Sequence, residues 1–279
     1  MGKMISIELR RAFSSAGMVV ALVIGIALAV SHFAMSILAL NQAQRIADYA
    51  SHFAFLSDLA PDVLWFSWMP ADGSTFHGYL FILALPLIAT LPHAGSYLAD
   101  QSNGYLDIAF THAERSSYYA AKWIATFLSG SAVAAIPVIL DFLLFLTVYP
   151  VISPVLGGGH DPVTELTFLK GMFMASPFAW VAFTALVIAL AGGLFACLGL
   201  AVTFITEYAL VVHILPFLIL YVGSMALSAF GFKALDIFAL INPARVEAPL
   251  PVFIGEFLLL FVVSIAPFIV VSARGGESA

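Results

Sequence analysis

Residues 172–198 read MFMASPFAWVAFTALVIALAGGLFACL, and no charged residue occurs between Lys170 and Glu207. About 20 apolar residues in a helix cross a hydrocarbon core of roughly 30 Å, and this stretch is longer than that. Lipid offers the backbone no hydrogen-bond partner, and the run lacks the alternating pattern of a barrel strand. It therefore predicts a membrane-spanning helix.

Similar stretches recur along the chain. Apolar residues make up 62% of the 279 residues and charged residues 9%, against about 25% charged in an ordinary soluble domain. This composition excludes a soluble enzyme and a disordered protein. The sequence predicts an all-α membrane protein, one transmembrane domain over 1–279, with six spans near 15–39, 76–98, 120–148, 172–198, 208–229 and 251–272.

Basic residues at the start of the chain set the predicted orientation. Lys3, Arg10 and Arg11 precede the first span, and such residues hold a segment in the cytoplasm. Six spans then return the C-terminus to the same side, so we expect both termini in the cytoplasm. The net charge of −6, without a basic block, argues against a nucleic acid partner.

Residues 1–14 form a predicted amphipathic helix that lies in the membrane interface. Apolar residues occupy one helical face and polar residues another; they are Ile5, Leu9, Ala12 and Phe13 against Lys3, Ser6, Arg10 and Ser14. The alternative is a simple tail that flanks the first span.

Two segments on the predicted outer side carry many apolar residues. Segment 40–75 contains Trp65 and Trp68, which we expect at the level of the lipid headgroups. Segment 230–250 is too apolar for a solvated loop, so a re-entrant or interfacial hairpin is expected there.

Asp141 lies inside the third span, where an acid costs about 2.5–3.5 kcal/mol on insertion scales. One interpretation places it on a translocation path, with His32 and Glu256, or makes it a protonatable switch. The other is a structural pair with a Ser, Thr or His of a neighbouring helix, and His32 lies at a similar predicted depth.

Two clusters of small residues allow another helix to approach closely. One is Gly17, Ala21, Gly25 and Ala29; the other is Gly192, Gly193, Ala196 and Gly199. They could serve packing within one chain or a contact between two copies.

Motifs for catalysis or nucleotide binding do not occur in the sequence. It has no G-x-x-x-x-G-K-[ST], H-E-x-x-H or G-x-S-x-G, and its seven His are scattered singly. The single Cys197 excludes an internal disulfide. We therefore expect no catalytic residue, no metal site and no directly bound cofactor.

Residues 99–122, between the second and third predicted spans, contain ADQSNGYLDIAFTHAERSSYYAAK. Gly104 divides the segment, and the residues after it form a short, largely apolar helix. Such a helix at the cytoplasmic surface is suited to being covered by another protein.

This segment resembles the loop of ABC-2-type exporter permeases (ABCG-like, type V). The matching positions are Asp100, Gly104, Leu106, Thr111, Arg115 and Lys122. Asp100 stands where Glu is usual in the family, and Ala113 where Pro is common. The six spans, the N-terminal interfacial helix and the long first outer loop agree with the same family.

The resemblance implies a permease subunit whose coupling helix contacts a separate ATPase subunit. That ATPase binds ATP and Mg²⁺, and two permeases, identical or paralogous, work with two ATPases in the plasma (inner) membrane. The residues implied in ATPase coupling are Asp100, Gly104, Tyr105, Leu106, Asp107, Phe110, Glu114 and Arg115.

Two other classes stay open. A self-contained secondary transporter or channel would use Asp141 for its driving ion, although such proteins often contain an internal repeat and this chain shows none. An intramembrane enzyme or assembly factor would need convergent polar groups in the spans. For an exporter, the 25 Phe favour a hydrophobic or amphipathic cargo, such as an antimicrobial peptide, a lipid-like molecule or a drug.

Overall fold

The computed structural model describes residues 2–50, 64–71, 75–151, 153, 169–232, 235, 238, 241–242 and 250–274, and the side chains of all these except 43–50, 66, 273 and 274. Its α- helices over these residues are α1 Gly2–Phe13, α2 Ala16–Ala50, α3 Leu64–Ser67, α4 Phe76–Thr90, α5 Ser96–Ser102, α6 Tyr105–His112, α7 Arg115–Leu146, α8 Lys170–Ala175, α9 Pro177–Val202, α10 Ala209–Ala229 and α11 Leu250–Arg274. No strand occurs in the described part of the chain.

Five of these helices are long and apolar enough to cross a membrane. They are α2 over Ala16–Gln42, α7, α9, α10, and α11 over Leu250–Ser272. Together they mark the chain as a multi-pass membrane protein.

The second predicted span, 76–98, is not one continuous helix. α4 ends at Thr90, residues 91–95 form a turn, and α5 begins at Ser96. Pro92 accounts for the end, because its ring has no N–H to donate and clashes with the preceding helical turn. At 15 residues, α4 is about 22 Å long, shorter than a bilayer core.

The fourth predicted span, 172–198, is also divided. α8 ends at Ala175 and α9 begins at Pro177, with Ser176 extended between them at φ −158° and ψ 92°. A residue before proline is disfavoured in the helical region, which explains the break.

The helices run alternately between two ends of the bundle. The near end, as we call it, holds α1, residues 91–115, the turn 203–208 and the end of α11. The far end holds residues 64–71, 147–151, 153 and 169–176. Phe204 illustrates the near end, because its ring contacts Tyr97 after α4 and Phe268 in α11.

α9 is the central helix. In its most apolar stretch of 18 residues, 67% are buried, against 17% in the corresponding stretch of α10. It approaches α7 closely where Gly130 faces Gly192; a Cβ on Gly130 would lie 2.8 Å from the Gly192 carbonyl oxygen. In α2, Gly25 lies against the ring of Pro137. Gly25 belongs to the first small-residue cluster and Gly192 to the second, and both contacts lie within one chain.

The two tryptophans of the first long loop lie in the protein core and not at a lipid interface, contrary to the prediction. Trp65 is 1% and Trp68 0% exposed. Trp68 contacts the ring of Trp180, and Trp65 that of Phe173. Aromatic side chains of α7, α8 and α9 surround the two indole rings, and they offer a more closely packed apolar surface than lipid headgroups do.

The predicted hairpin at 230–250 lies mostly outside the described residues. Of its described side chains, Ile241 is buried and Phe238 half-buried.

The close contact of α7 and α9 predicts a steric effect. Gly192→Leu places a side chain on Ala134 and the Gly130 backbone, so the free energy of unfolding should fall by about 1–3 kcal/mol or more. Unfolding in mixed detergent micelles measures this. Gly223→Leu is the matched control, because nothing lies within 4 Å of a Cβ at Gly223. Equal effects of both changes would contradict the packing described.

Candidate functional site

The predicted coupling segment forms a short helix, α6, that is set off from α5 by a sharp turn. Gly104 adopts a φ of +69°, a left-handed conformation that glycine reaches without steric cost. α6 follows over Tyr105–His112, and Ala113 is extended before α7 begins at Arg115. The turn directs α6 away from the axis of the preceding helix.

One side of α6 contacts the bundle and the other is exposed. Ala109 is buried, and Leu106 and Phe110 are half-buried against a cluster that contains Tyr118, Tyr119 and Phe268. The Phe110 ring meets Tyr118 edge-on at 5.4 Å. Ile108 points away from this contact and is 59% exposed.

The remaining predicted coupling residues also divide into exposed residues and residues that contact the bundle. Gly104, Asp107, Glu114 and Arg115 are exposed, Tyr105 is half-buried and Asp100 is buried. The Arg115 guanidinium lies over the Phe110 ring and that of Arg11 over Tyr105, each at a distance of about 5 Å. The predicted residues thus include both an outer surface and its attachment to the bundle.

Asp100 is the centre of a buried charge network below α6. Its Oδ1 accepts a hydrogen bond from Arg11 Nη2 at 2.5 Å. Its Oδ2 accepts one from the Tyr118 hydroxyl at 2.5 Å and lies 2.6 Å from Lys122 Nζ. One carboxylate therefore joins α1, α5 and α7.

Glu8 is the second carboxylate of the network and is fully buried. Its Oε2 lies 2.9 Å from Lys122 Nζ and 3.0 Å from His93 Nε2, while its Oε1 accepts from Arg11 at 2.7 Å. Because a carboxylate can only accept, His93 donates through Nε2–H. Glu8 attaches α1 to α7 and to the turn after α4.

The network is electrically balanced, with two carboxylates and two cations. Burial alone would raise the pKa of Glu8, but the hydrogen bond from His93 and the charge of Lys122 outweigh it, and the pKa falls to about 2. For Asp100, burial also raises the pKa, but the hydrogen bond from Arg11 together with the charge of Lys122 and the bonds from Lys122 and Tyr118 lowers it below the usual value. Burial lowers the pKa of His93, which keeps its ring neutral near pH 7.

Most of this network was not predicted from the sequence. Of its residues only Asp100 was a predicted site residue, and Glu8 was assigned to neither face of the N-terminal helix. A usable signal was present at Lys122, a cation at the start of an apolar span that requires a buried counter-charge. Glu8, at the second turn of a helix next to Arg11, was a candidate for that partner.

The intramembrane Asp141 pairs with His32, as one of the two interpretations of the sequence expects. Asp141 Oδ1 lies 2.9 Å from His32 Nδ1, and both side chains are almost fully buried. Asp141 Oδ2 accepts a 2.6 Å hydrogen bond from the backbone N–H of Met69. Glu256, the third residue of the predicted path, is buried in α11.

Residues 64–71, which we call the far-end plug, are joined to α7 by this hydrogen bond from Met69 to Asp141. Its described side chains, including Trp65, Ser67, Trp68 and Met69, are all buried. A buried backbone N–H needs an acceptor, and Asp141 supplies one to Met69, which follows the single turn of α3.

Within the described ranges, no three His, Cys, Asp or Glu residues lie close enough together to hold a metal ion. Sequence comparison finds no matching protein family, and neither a curated protein nor a solved structure matches the chain significantly.

The buried network predicts a large effect of removing one cation. Lys122→Met leaves Glu8 and Asp100 with Arg11 as their only cation, so the free energy of unfolding should fall by about 3–5 kcal/mol. Unfolding in mixed micelles measures this. Arg10→Met, which removes an exposed charge from the same end, should change it little. A loss no larger than that of Arg10→Met would refute the described ion pairs.

The plug predicts an effect on accessibility. Asp141→Leu removes the acceptor of the Met69 N–H, so a cysteine placed at the buried Ser67 should react faster with a maleimide in purified protein. Asp141→Asn retains an acceptor oxygen and should have a smaller effect. Cys197 is fully buried and contributes little background. Equal labelling rates in the parent, Asn and Leu proteins would show that Asp141 does not hold the plug.

Proposed function

We propose that this chain is the permease subunit of an ATP-driven exporter of the ABC-2 type. It lies in the plasma membrane with both termini in the cytoplasm, and the near end of the bundle is the cytoplasmic end. It moves a hydrophobic or amphipathic cargo, and a separate ATPase subunit supplies the energy.

The observation that supports this proposal most is the combination of exposure and attachment at α6. The helix presents Ile108 and Asp107 outward at one end of the bundle. Its inner residues, Leu106 and Phe110, pack on the helices behind it. A helix that transmits a movement of the ATPase to the membrane helices must be accessible to the ATPase and attached to those helices. α6 meets both conditions.

The charge network connects α5 to α1 and α7, and it could transmit a movement of α6 to them. α6 follows α5, whose Asp100 binds Arg11 of α1 and Lys122 of α7. Displacement of α6 and α5 relative to α7 would separate a buried carboxylate from its cations, which costs several kcal/mol. The three elements therefore favour moving together, and α7 extends across the membrane.

The partner ATPase binds ATP and Mg²⁺ and carries out the hydrolysis; this chain has no catalytic role. A second permease copy or a paralogue completes the exporter. The cargo is inferred from the apolar character of the spans, with an antimicrobial peptide, a lipid-like molecule or a drug as the candidates.

A secondary transporter or channel is the second candidate, and the buried His32–Asp141 pair is the observation that favours it. Both groups can bind a proton, and both lie within the helical bundle. In that case transport would persist without an ATPase and would depend on Asp141.

The exporter proposal predicts the effect of a charge on the outer face of α6. Ile108→Asp should abolish binding of the partner ATPase and ATP-dependent transport while leaving the fold intact, because Ile108 is mostly exposed. The measurement is purification of the tagged chain in mild detergent with its ATPase, together with the ATPase rate and vesicle transport. Phe110→Asp is a poorer test, because Phe110 packs on Tyr118 and its loss would disturb the near end itself.

Val151→Asp is the matched control. Val151 is 51% exposed at the far end, so the same charge is added away from α6, and coupling should be retained. If Ile108→Asp keeps both ATPase binding and transport, the coupling proposal is wrong. A folded chain that transports with no ATPase present would favour the second candidate.

A further inference from the structure

A pocket opens at the near end of the bundle, between α5 and the turn that joins α9 to α10. Tyr97 and Gln101 line it from α5, where they are four positions apart and share a helical face. Residues 203–208 form the opposite wall. Because α9 and α10 are both long enough to cross a membrane and the turn links their ends, the pocket lies at the level of the membrane surface.

The two walls of this pocket are already in contact. The Phe204 ring packs on the Tyr97 ring, with the ring centroids 4.9 Å apart. Within the turn, the Thr206 hydroxyl accepts a hydrogen bond from the Tyr208 N–H at 3.2 Å. The pocket therefore exists before a ligand binds, and such preorganisation lowers the cost of binding.

Glu207 gives the pocket a negative charge. The residue is exposed, and in the described part of the chain its carboxylate has no hydrogen bond or ion pair. The described residues that line the pocket include no Lys, Arg or His. One carboxylate without a counter-charge attracts a cation and repels an anion, so the ligand that this pocket favours is positively charged.

Three aromatic rings determine which kind of cation fits. Tyr97, Phe204 and Tyr208 line the pocket together with Glu207, and Tyr208 is 74% exposed, so a ligand can reach its ring. The face of an aromatic ring attracts a cation within about 6 Å of its centroid, and proteins recognise alkylammonium groups in this way. A metal ion fits poorly, because Ca²⁺ takes about six to eight oxygen ligands and the described lining offers one carboxylate.

We propose that this pocket binds an organic cation, with an alkylammonium group held by the Glu207 carboxylate and the aromatic rings that line the pocket. Two sources supply this chemistry at a membrane surface. One is the ammonium headgroup of a phospholipid, and the other is a soluble amine. The inference does not rest on the exporter proposal, because every group it uses lies in this chain and the ATPase has no part in it.

Saturation-transfer NMR on the methyl signal of choline tests the site, with choline titrated against the full chain in the uncharged detergent dodecyl maltoside. We expect saturable binding. Glu207→Gln should weaken it about fivefold, because two unit charges about 4 Å apart attract each other by that factor in water. Tyr208→Leu should weaken it about two- to fivefold, the effect of one cation–π contact at an exposed site, whereas Tyr208→Phe keeps a ring and should bind like the parent.

Glu207→Asp and Tyr79→Leu are the matched controls. Glu207→Asp keeps the charge and should retain most of the binding. Tyr79→Leu removes a tyrosine that is 56% exposed in α4 and does not line the pocket, and it should leave the affinity unchanged. All the substituted side chains are exposed, so the variants should fold like the parent. The absence of saturable binding, equal affinities of the parent and Glu207→Gln, or equal affinities of Tyr208→Leu and Tyr79→Leu would each overturn the proposal.

Nanodiscs distinguish the two sources of the cation. The chain is placed in phosphatidylcholine with deuterated headgroups or in phosphatidylglycerol, and the difference in choline signal between the parent and Glu207→Gln is compared in the two lipids. This difference removes the general attraction of choline to an anionic surface. A smaller difference in phosphatidylcholine supports the proposal with a lipid headgroup as the occupant, and equal differences support it with a soluble amine.

Discussion

The ammonium group of Lys122, buried between Glu8 and Asp100, is the interaction on which the near end of this protein depends. An unpaired ammonium in such a position would cost several kcal/mol, so the two carboxylates must be present whenever Lys122 is inside. Glu8 can reach it only if α1 lies against α7, and Asp100 only if α5 lies beside the start of α7. One buried cation thus constrains three helices that are far apart in sequence.

A second polar anchor lies at the other end of the same helix. Lys122 and Asp141 are separated by about 28 Å along α7, at 1.5 Å per residue, close to the thickness of a hydrocarbon core. Lys122 fixes α1 and α5, while Asp141 fixes His32 of α2 and the backbone of the plug. Between them α7 packs closely on α9 where Gly130 faces Gly192, and Cys197 of α9 donates a weak hydrogen bond to the Trp123 carbonyl at 3.6 Å. Polar side chains therefore determine what attaches to the ends of α7, and close packing determines what lies beside its middle.

The spans were predictable because their signal is local. Long apolar runs with at most one charged residue identify α2, α7, α9, α10 and α11 without any knowledge of their neighbours. The division of the second and fourth predicted spans was available too, in Pro92 and Pro177, but the weight given to hydropathy concealed it. Pro92 and Pro177 stand at these two breaks, whereas Pro86 lies inside α4 without ending it.

The networks were harder to predict because their signal is not local. Arg11 and Asp100 are 89 positions apart, and His32 and Asp141 are 109 apart. Depth in the membrane correctly suggested His32 as a partner of Asp141, since two spans place groups of equal depth side by side. No comparable depth estimate existed for Glu8, which precedes the first span, and the burial of Trp65 and Trp68 depends on aromatic neighbours in α8 and α9.

The two faces of α6 could have been predicted from the helical period of its sequence. Leu106 and Phe110 are four positions apart and lie on one face of a helix, whereas Ile108 lies between them in sequence and on the opposite face. The apolar residues of this short helix therefore serve two surfaces, one that fastens it to Tyr118 and one that faces outward. A single exposed isoleucine is common in proteins. Here the helix that carries it follows the left-handed Gly104 turn, and the preceding α5 is tied to α1 and α7 through Asp100.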